Sequence, residues 1–130
     1  MQGRWEVSTP APDDRTAFPY RGGVREAWRA LEDYFWEGEQ AVQVYKETRN
    51  GMLGRSFSSK FSPFLAIGCI SAAQVMDELD QFEERITSND STYWLFIELL
   101  WREFFQWTAY NAGKLLFMPT GLQPETPWKP

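Results

Sequence analysis

Histidine is absent from the 130-residue sequence, and cysteine occurs once, as Cys69. The chain therefore lacks the commonest metal ligand and the usual general base near neutral pH. Ser-His-Asp, Cys-His and histidine-metal hydrolysis are excluded within this chain. The single cysteine also excludes an internal disulfide and a cysteine-rich metal cluster. We expect no metal site.

Long apolar runs are missing as well. No stretch of about 18 apolar residues occurs, which is the length that suggests a membrane-spanning helix. The opening MQGRWEVSTPAPDD has no apolar core of the kind found in secretory signal peptides. We therefore expect a soluble, cytoplasmic protein without a membrane partner.

Basic residues are outnumbered, with 13 lysines and arginines against 18 aspartates and glutamates, and the formal net charge is -5. Counterion release needs a concentration of lysine and arginine, so this composition argues against a general nucleic-acid binder. Residues 44–62 are an exception, because they hold four basic residues and one acidic residue. A local anion site in this stretch is compatible with an acidic protein.

Aromatic side chains are abundant, at 17% of the sequence. Their burial can offset the entropy of the chain, so we expect one folded domain, stable alone or against a partner. Residues 1–17 contain two prolines and two consecutive acidic residues, which predict an irregular leader.

Apolar periodicity predicts an all-α fold, built as a partial helical bundle. The first helix should run from Val24 to about Glu47, with room for a break near Gly38. Small and polar residues then predict a loop over about 49–61.

Capping signals mark the next two helices. Ser62 and Pro63 are typical of an N-cap followed by proline at the first helical position, so a short helix should begin there. Ser71 and Gln74 form a capping-box pattern for a longer helix, which should end at the polar cluster 88–91.

The last helix should run from about Ser91 to Asn111, and it is apolar on nearly every face. Such a helix normally lies at the centre of an assembly. About four helices in a chain of this size can hardly surround it on all sides. The tail from Gly113 shows no further helical pattern.

One candidate site is the serine-rich stretch before Pro63, which contains Ser56, Ser58, Ser59, Lys60 and Ser62. Hydroxyls, backbone N–H groups and an ammonium together can form a phosphate cradle. A capped helix after a serine-rich loop explains the same residues, and the spacing alone favours that interpretation.

A second candidate is one face of the last helix, where Trp94, Glu98, Trp101 and Phe105 align. A carboxylate between two indoles can hydrogen-bond a planar heterocycle that stacks on the rings. The alternative is an aromatic core stripe, in which an ion pair with Arg102 keeps Glu98 charged. Taken alone, the stripe favours the core.

Read together, three stretches resemble a known family. They are YKETRNGMLG (45–54), SSKFSPFLAIGCIS (58–71) and NDSTYWLFIELLWREFF (89–105). They closely resemble the FAD-binding helical domain of DNA photolyases and cryptochromes, and the DASH-type cryptochromes look nearest. The resemblance implies that residues 18–130 are a truncated form of that domain, without the family's antenna domain and second helical half.

The resemblance implies FAD as the cofactor, and it assigns roles residue by residue. Tyr45 matches a tyrosine near the flavin, Trp94 a tryptophan of the flavin pocket, and Arg102 an arginine of the cofactor region. The loop that holds the FAD pyrophosphate is matched by Ser58, Ser59, Lys60, Phe61 and Ser62.

The resemblance also implies DNA containing pyrimidine dimers as the partner. Glu98 and Trp101 match the pair that meets a flipped dimer by hydrogen bonding and stacking, and Arg49 lies where a DNA-backbone contact is expected. The family reaction is light-driven electron donation from reduced flavin to the dimer, and other members sense blue light.

Two functions therefore stay open. In the first, the chain is an FAD-binding photolyase or cryptochrome segment that another chain or a second copy completes. In the second, it is a non-catalytic helical remnant that serves as an interaction module without tight flavin binding. Loss of half the ligand contacts weakens binding, so we expect the isolated chain to be inactive. A single-stranded nucleic-acid module is a weaker third option.

Overall fold

The computed structural model describes residue 13, residues 15–52 and residues 54–122. Within these ranges all regular structure is helical and no strand occurs, which confirms the predicted all-α fold. Most of the predicted leader, residues 1–17, lies outside the described residues, as does the tail after residue 122. In the described ranges, no helix is both long enough and apolar enough to span a bilayer.

The first predicted helix is broken into three pieces. Helix α1 spans Val24–Phe35, a 3-10 turn spans Ala41–Val44, and helix α2 spans Tyr45–Thr48. The expectation of one helix to Glu47 was therefore wrong, although the break near Gly38 is confirmed. Gly38 and Gln40 have positive φ angles of 59° and 49°, and a right-handed helix cannot continue through them.

Helix α3 spans Ser62–Ala66 and has no side-chain cap. The predicted N-cap role of Ser62 was wrong, because Phe61 already has helical backbone angles (φ -75°, ψ -17°) and takes the cap position itself. Proline still occupies the first turn, as expected.

Helix α4 spans Ala72–Arg85 and begins with the predicted capping box. The hydroxyl of Ser71 accepts the backbone N–H of Gln74 at 3.2 Å, and Gln74 Oε1 accepts the backbone N–H of Ser71 at 2.8 Å. Two backbone donors at the helix start are thereby satisfied.

Helix α5 spans Asp90–Ala112, within one residue of the prediction at each end. Asn89 caps it by accepting the backbone N–H groups of Ser91 (2.8 Å) and Thr92 (3.1 Å). The chain then tightens into a 3-10 turn, Gly113–Phe117, where the sequence predicted no helix. Gly113 has a φ of 51°, which stops the α-helix before this turn.

The core lies between α1, α4, the start of α3 and the first half of α5. Its largest fully buried side chains are four phenylalanines, namely Phe35, Phe61, Phe64 and Phe82. The rings of Phe35 and Phe61 stack with centroids 6.2 Å apart. Burial of each such ring contributes about 1.5–3 kcal/mol, so these contacts fix the loop before α3 against α1.

Candidate functional site

A cation, a carboxylate and an indole meet where α2 ends against α5. The Arg49 guanidinium pairs with the carboxylate of Glu98, and its central carbon lies 4.7 Å from the ring centroid of Trp94. The predicted ion pair between Glu98 and Arg102 is not formed. Arg102 pairs instead with Glu103, at 2.8 Å. The packing of α2 on α5 places Arg49 beside Glu98, so Arg49 is the partner of that carboxylate.

Hydrogen bonds tie the start of α5 to the 3-10 turn and α2. The backbone N–H of Lys46 donates to Ser91 Oγ at 3.0 Å, and the Lys46 ammonium pairs with Asp90 at 2.7 Å. Asn89 Nδ2 donates to the carbonyl oxygen of Gln43 at 3.1 Å. These contacts hold the two helices in one register, so the cation at the end of α2 reaches the carboxylate on α5.

Tyr45, the first residue of α2, is buried beside this cluster. Burial, and then the negative charge of Glu98, raise the pKa of Tyr45 to about 12, although Arg49 opposes this effect. The phenol therefore stays protonated near neutral pH and is a hydrogen-bond donor. Sequence resemblance placed Tyr45, Trp94 and Glu98 in one site, and the structure brings these three together with Arg49.

The serine-lysine loop before α3 has an unusual backbone. Ser58 and Lys60 both have a φ of 54°, in the left-handed region. The Lys60 ammonium donates to the carbonyl oxygens of Phe57 and, at 3.0 Å, of Arg55, so it stabilises the loop from within. Partial burial lowers the pKa of Lys60. The phosphate contact of Lys60 stays a prediction, and the structure adds a role in shaping the loop.

Three hydroxyls of this loop are available to a ligand. Within the described ranges, the side chains of Ser58, Ser59 and Ser62 make no hydrogen bond. Phe61 differs, because its ring is buried in the core. Only the main chain of Phe61 is therefore left for the cofactor contact that the resemblance implies.

Arg102 links the short helix α3 to α5. Its Nη2 donates to the carbonyl oxygen of Leu65 near the end of α3, at 3.3 Å. The predicted pyrophosphate segment and the tryptophan-rich helix are thus neighbours in the fold. The predicted contact between Arg102 and the cofactor region stays a prediction.

Trp101 is presented to solvent, with 49% of its surface exposed. Its ring stacks on Phe105 at a centroid distance of 5.7 Å and meets Phe104 edge-on at 5.6 Å. It belongs to the α5 aromatic patch, which we define as Trp101, Phe104, Phe105, Trp107 and Tyr110, all of them exposed. An exposed indole of this kind can stack on a base.

Sequence reasoning missed Tyr34, whose hydroxyl is buried and has no hydrogen-bond partner within the described residues. Burial, and to a smaller extent the nearby phenol of Tyr45, raise the pKa of Tyr34 far above its ordinary value. The sequence feature that could have identified Tyr34 is its position on the apolar face of α1, beside Ala30 and Leu31. In the described ranges no cluster of acidic, cysteine or histidine side chains is arranged for a metal ion.

Comparison with known proteins places this arrangement in context. No family model matches the chain. Cryptochrome DASH of Danio rerio is 49% identical over 120 residues, which is 92% of this chain and 23% of that protein. Cryptochrome DASH of Xenopus laevis is 46% identical over 126 residues, 96% of this chain and 24% of that protein. The chain thus spans about a quarter of the length of the curated relatives that it matches.

A solved structure agrees with the sequence comparison. The crystal structure of a cryptochrome from Synechocystis sp. PCC6803 matches with a TM-score of 0.82 at 42% identity, over 97% of this chain and 28% of that chain. Sequence and fold therefore agree on the same relatives. Over the segment that it spans, the chain belongs to the photolyase/cryptochrome family.

Proposed function

We propose that residues 18–130 are part of the FAD-binding helical domain of a photolyase- or cryptochrome-like protein. One observation carries the proposal. Tyr45 on α2 and Arg49 at its C-cap meet Trp94 and Glu98 on α5 in a single cluster, although more than forty residues separate the two helices. A protonated phenol and an indole edge are suited to a flat heterocycle, and the carboxylate is suited to a base that presents N–H groups.

The serine-lysine loop supports the phosphate half of the proposal. A pyrophosphate needs several hydrogen-bond donors that the protein does not use elsewhere. The hydroxyls of Ser58, Ser59 and Ser62 meet this need, and the left-handed residues Ser58 and Lys60 give the backbone the irregular course of an anion-binding loop. The internal hydrogen bonds of Lys60 hold this course before a ligand arrives.

DNA containing a pyrimidine dimer is the proposed partner of the outer side of the site. Glu98 is about one-third exposed and Trp101 about half, so both can reach a flipped dimer. When bound in its reduced form, FAD supplies the light-driven electron that splits the dimer. Arg49 would then share its charge between Glu98 and a DNA phosphate.

Flavin retention tests this proposal. The purified chain is mixed with FAD and desalted, and its visible spectrum and flavin fluorescence are recorded. We expect a bound flavin with a structured blue absorption band, whereas colourless protein would contradict the proposal. Ser62→Ala should weaken binding at least tenfold, since a hydrogen bond to a charged group contributes about 1.5–3 kcal/mol. Ser88→Ala is the control, because Ser88 lies beyond the end of α4 and outside the proposed site.

A second candidate is an interaction module without tight flavin binding. The α5 aromatic patch supports it, because five neighbouring aromatic side chains stay exposed, and Phe117 and Met118 extend the apolar surface beyond the helix. Patches of this kind usually contact another protein. A second copy or a complementing chain would cover the patch in either function, and only the interaction module predicts colourless protein.

A further inference from the structure

A cleft of about 310 Å³ lies between α1 and α4. Among the described residues, its lining consists of Trp28, Leu31, Glu32 and Trp36 from α1 and its C-cap, and Glu78 from α4. The cleft shares no lining residue with the proposed flavin and DNA site. Its volume is near the lower limit for ligand pockets, so it suits a single side chain better than a cofactor.

The helical spacing of α1 builds one wall of this cleft. Trp28, Glu32 and Trp36 follow one another at intervals of four residues, so they form a row along one side of the helix. Trp36 is the C-cap, and its backbone N–H donates to the carbonyl oxygen of Glu32 at 2.9 Å, which continues the row through the end of the helix. A carboxylate thus lies between two indoles.

Contacts with α4 hold Trp36 in place. Its indole Nε1 donates to Glu78 Oε2 at 2.8 Å, and its ring packs on the buried ring of Phe82 with centroids 5.5 Å apart. The hydrogen bond fixes the carboxylate of Glu78 beside the indole. A carboxylate accepts several hydrogen bonds, so Glu78 retains acceptor capacity for a ligand. The wall is therefore ordered before a ligand binds, which lowers the entropic cost of binding.

The chemistry of the lining favours a cation. Among the described residues, it contains the carboxylates of Glu32 and Glu78 and no basic side chain. Indole faces also attract cations, and the chain itself shows this at Trp36, because the guanidinium carbon of Arg85 lies 5.6 Å from its ring centroid. Trp28 is 39% exposed and offers a second indole to a ligand.

The charge of α4 extends this preference beyond the cleft. Besides Glu78, the helix carries four acidic residues, and its single basic residue is Arg85. Complementary charge steers a partner toward such a surface and suppresses acidic partners. A segment with several positive charges is therefore attracted more strongly than an isolated cation.

We propose that the cleft between α1 and α4 binds an arginine side chain from a basic segment of a partner protein. A guanidinium is planar, so it stacks on an indole while its N–H groups donate to the carboxylates of Glu32 and Glu78. The ammonium of lysine has no flat face for such stacking. The other positive charges of the segment interact with the acidic residues of α4. This surface is separate from the proposed flavin site and serves either function considered above.

Peptide titration of the full chain, followed by NMR, tests this assignment. One probe is a blocked pentapeptide in which two arginines alternate with three glycines, and the other carries lysines at the arginine positions. We expect the arginine peptide to shift the indole N–H signal of Trp36, which is identified by its loss in Trp36→Phe. The arginine peptide should bind at least about threefold more tightly than the lysine peptide, and salt should weaken its binding.

Two variants with the same change of charge separate the cleft from general attraction. Glu78→Gln removes a charge from the cleft but keeps an oxygen that can accept the indole N–H, and it should weaken binding of the arginine peptide about fivefold. Glu84→Gln removes a charge from α4 outside the cleft and should change the affinity less than about twofold.

Aromatic variants test the stacking contact. Trp28→Leu should weaken binding of the arginine peptide about threefold, because it removes an indole face. Tyr93→Leu changes an exposed aromatic residue on α5 and should leave the affinity unchanged. If Trp28→Leu does not fold, Glu32→Gln replaces it, because Glu32 is exposed and its change leaves the core intact.

Three results would overturn the assignment. If the arginine peptide leaves the Trp36 indole signal unshifted, it does not enter the cleft. If Glu78→Gln and Glu84→Gln weaken binding equally, only the general charge of α4 attracts the peptide. If the lysine peptide binds as tightly, the cleft does not recognise a guanidinium. Each result leaves the proposed flavin function standing, because the two sites share no residue.

Discussion

The two halves of α5 have similar composition but different surroundings. Residues 90–100 are capped by Asn89, are tied to α2 by ion pairs and hydrogen bonds, and bury Leu95 and Leu99 in the core. Residues 101–112 carry the α5 aromatic patch, which stays exposed. Apolar composition therefore does not decide burial, because a side chain is buried only where a neighbouring element covers it.

The largest expected effect comes from two leucines on the same helix. Leu95→Ala should lower the free energy of unfolding by about 2–5 kcal/mol, because Leu95 is 2% exposed and its removal leaves a cavity. Leu100→Ala, at a leucine that is 49% exposed, should cost less than about 1 kcal/mol. Urea denaturation of both variants measures the difference, and equal losses would contradict the contrast between the surroundings of these leucines.

The second prediction concerns self-association through the exposed half. Phe105→Glu should weaken association at least tenfold, since it places a charge within the α5 aromatic patch. Tyr93→Glu changes an equally exposed aromatic residue in the first half and should leave association unchanged. Sedimentation velocity over a range of concentrations distinguishes them. If the wild-type chain stays monomeric at every concentration, a second copy does not cover the α5 aromatic patch.

The cap of the first half gives a smaller effect. Asn89→Ala should lower the free energy of unfolding by about 1 kcal/mol, because the backbone N–H groups of Ser91 and Thr92 lose their acceptor. Ser88→Ala, one residue earlier and outside the cap, is the control and should cost less. Urea denaturation that shows no loss for Asn89→Ala would mean that water replaces the cap without cost.

The smallest effect is electrostatic. Glu98→Gln should lower the pKa of Tyr45 from about 12 toward its ordinary value, because it removes a negative charge that opposes the phenolate. Glu103→Gln, one turn further along α5, should leave that pKa unchanged. Absorbance of the phenolate during alkaline titration, with Tyr45→Phe as the blank, reports the shift. An unchanged Tyr45 pKa in Glu98→Gln would place the carboxylate away from the phenol.

The same ionisation makes stability depend on pH. The folded-state pKa of Tyr45 is raised above the unfolded value of about 10, so its contribution is fully present below pH 10. That contribution is lost as pH rises from about 10 through about 12, because the unfolded chain releases the proton first. In Glu98→Gln this loss should cover a narrower range of pH.

Local signals explain which parts of the fold were predictable. The caps of α4 and α5 depend on residues within one helical turn of each other, and both helices begin within one residue of the predicted positions. The path of the first helix was harder to predict, because Gln40 adopts a left-handed backbone conformation that is not expected from its residue type. Ser62 failed as a cap because Phe61 has helical backbone angles and occupies the cap position itself.

The site shows the same limit at longer range. The spacing of Glu98 and Arg102 suggested a local ion pair, but contacts between α2 and α5 supply Arg49 as the partner. Resemblance to a family identified Tyr45 and Trp94, since their sequence neighbours match. It gave no indication of Tyr34, because a missing hydrogen-bond acceptor is visible only once the surrounding rings are packed.

The interruption after α1 has a geometric consequence for the whole site. An unbroken helix rises about 1.5 Å per residue, so it would carry Tyr45 about 15 Å beyond Phe35 along a single axis. The turn at Gly38 and Gln40 redirects the chain and brings the phenol within reach of the charge on Glu98. Two positive φ angles outside the site thus contribute to its assembly. A one-residue insertion or deletion between residues 36 and 40 should disturb the site more than replacing any single lining side chain.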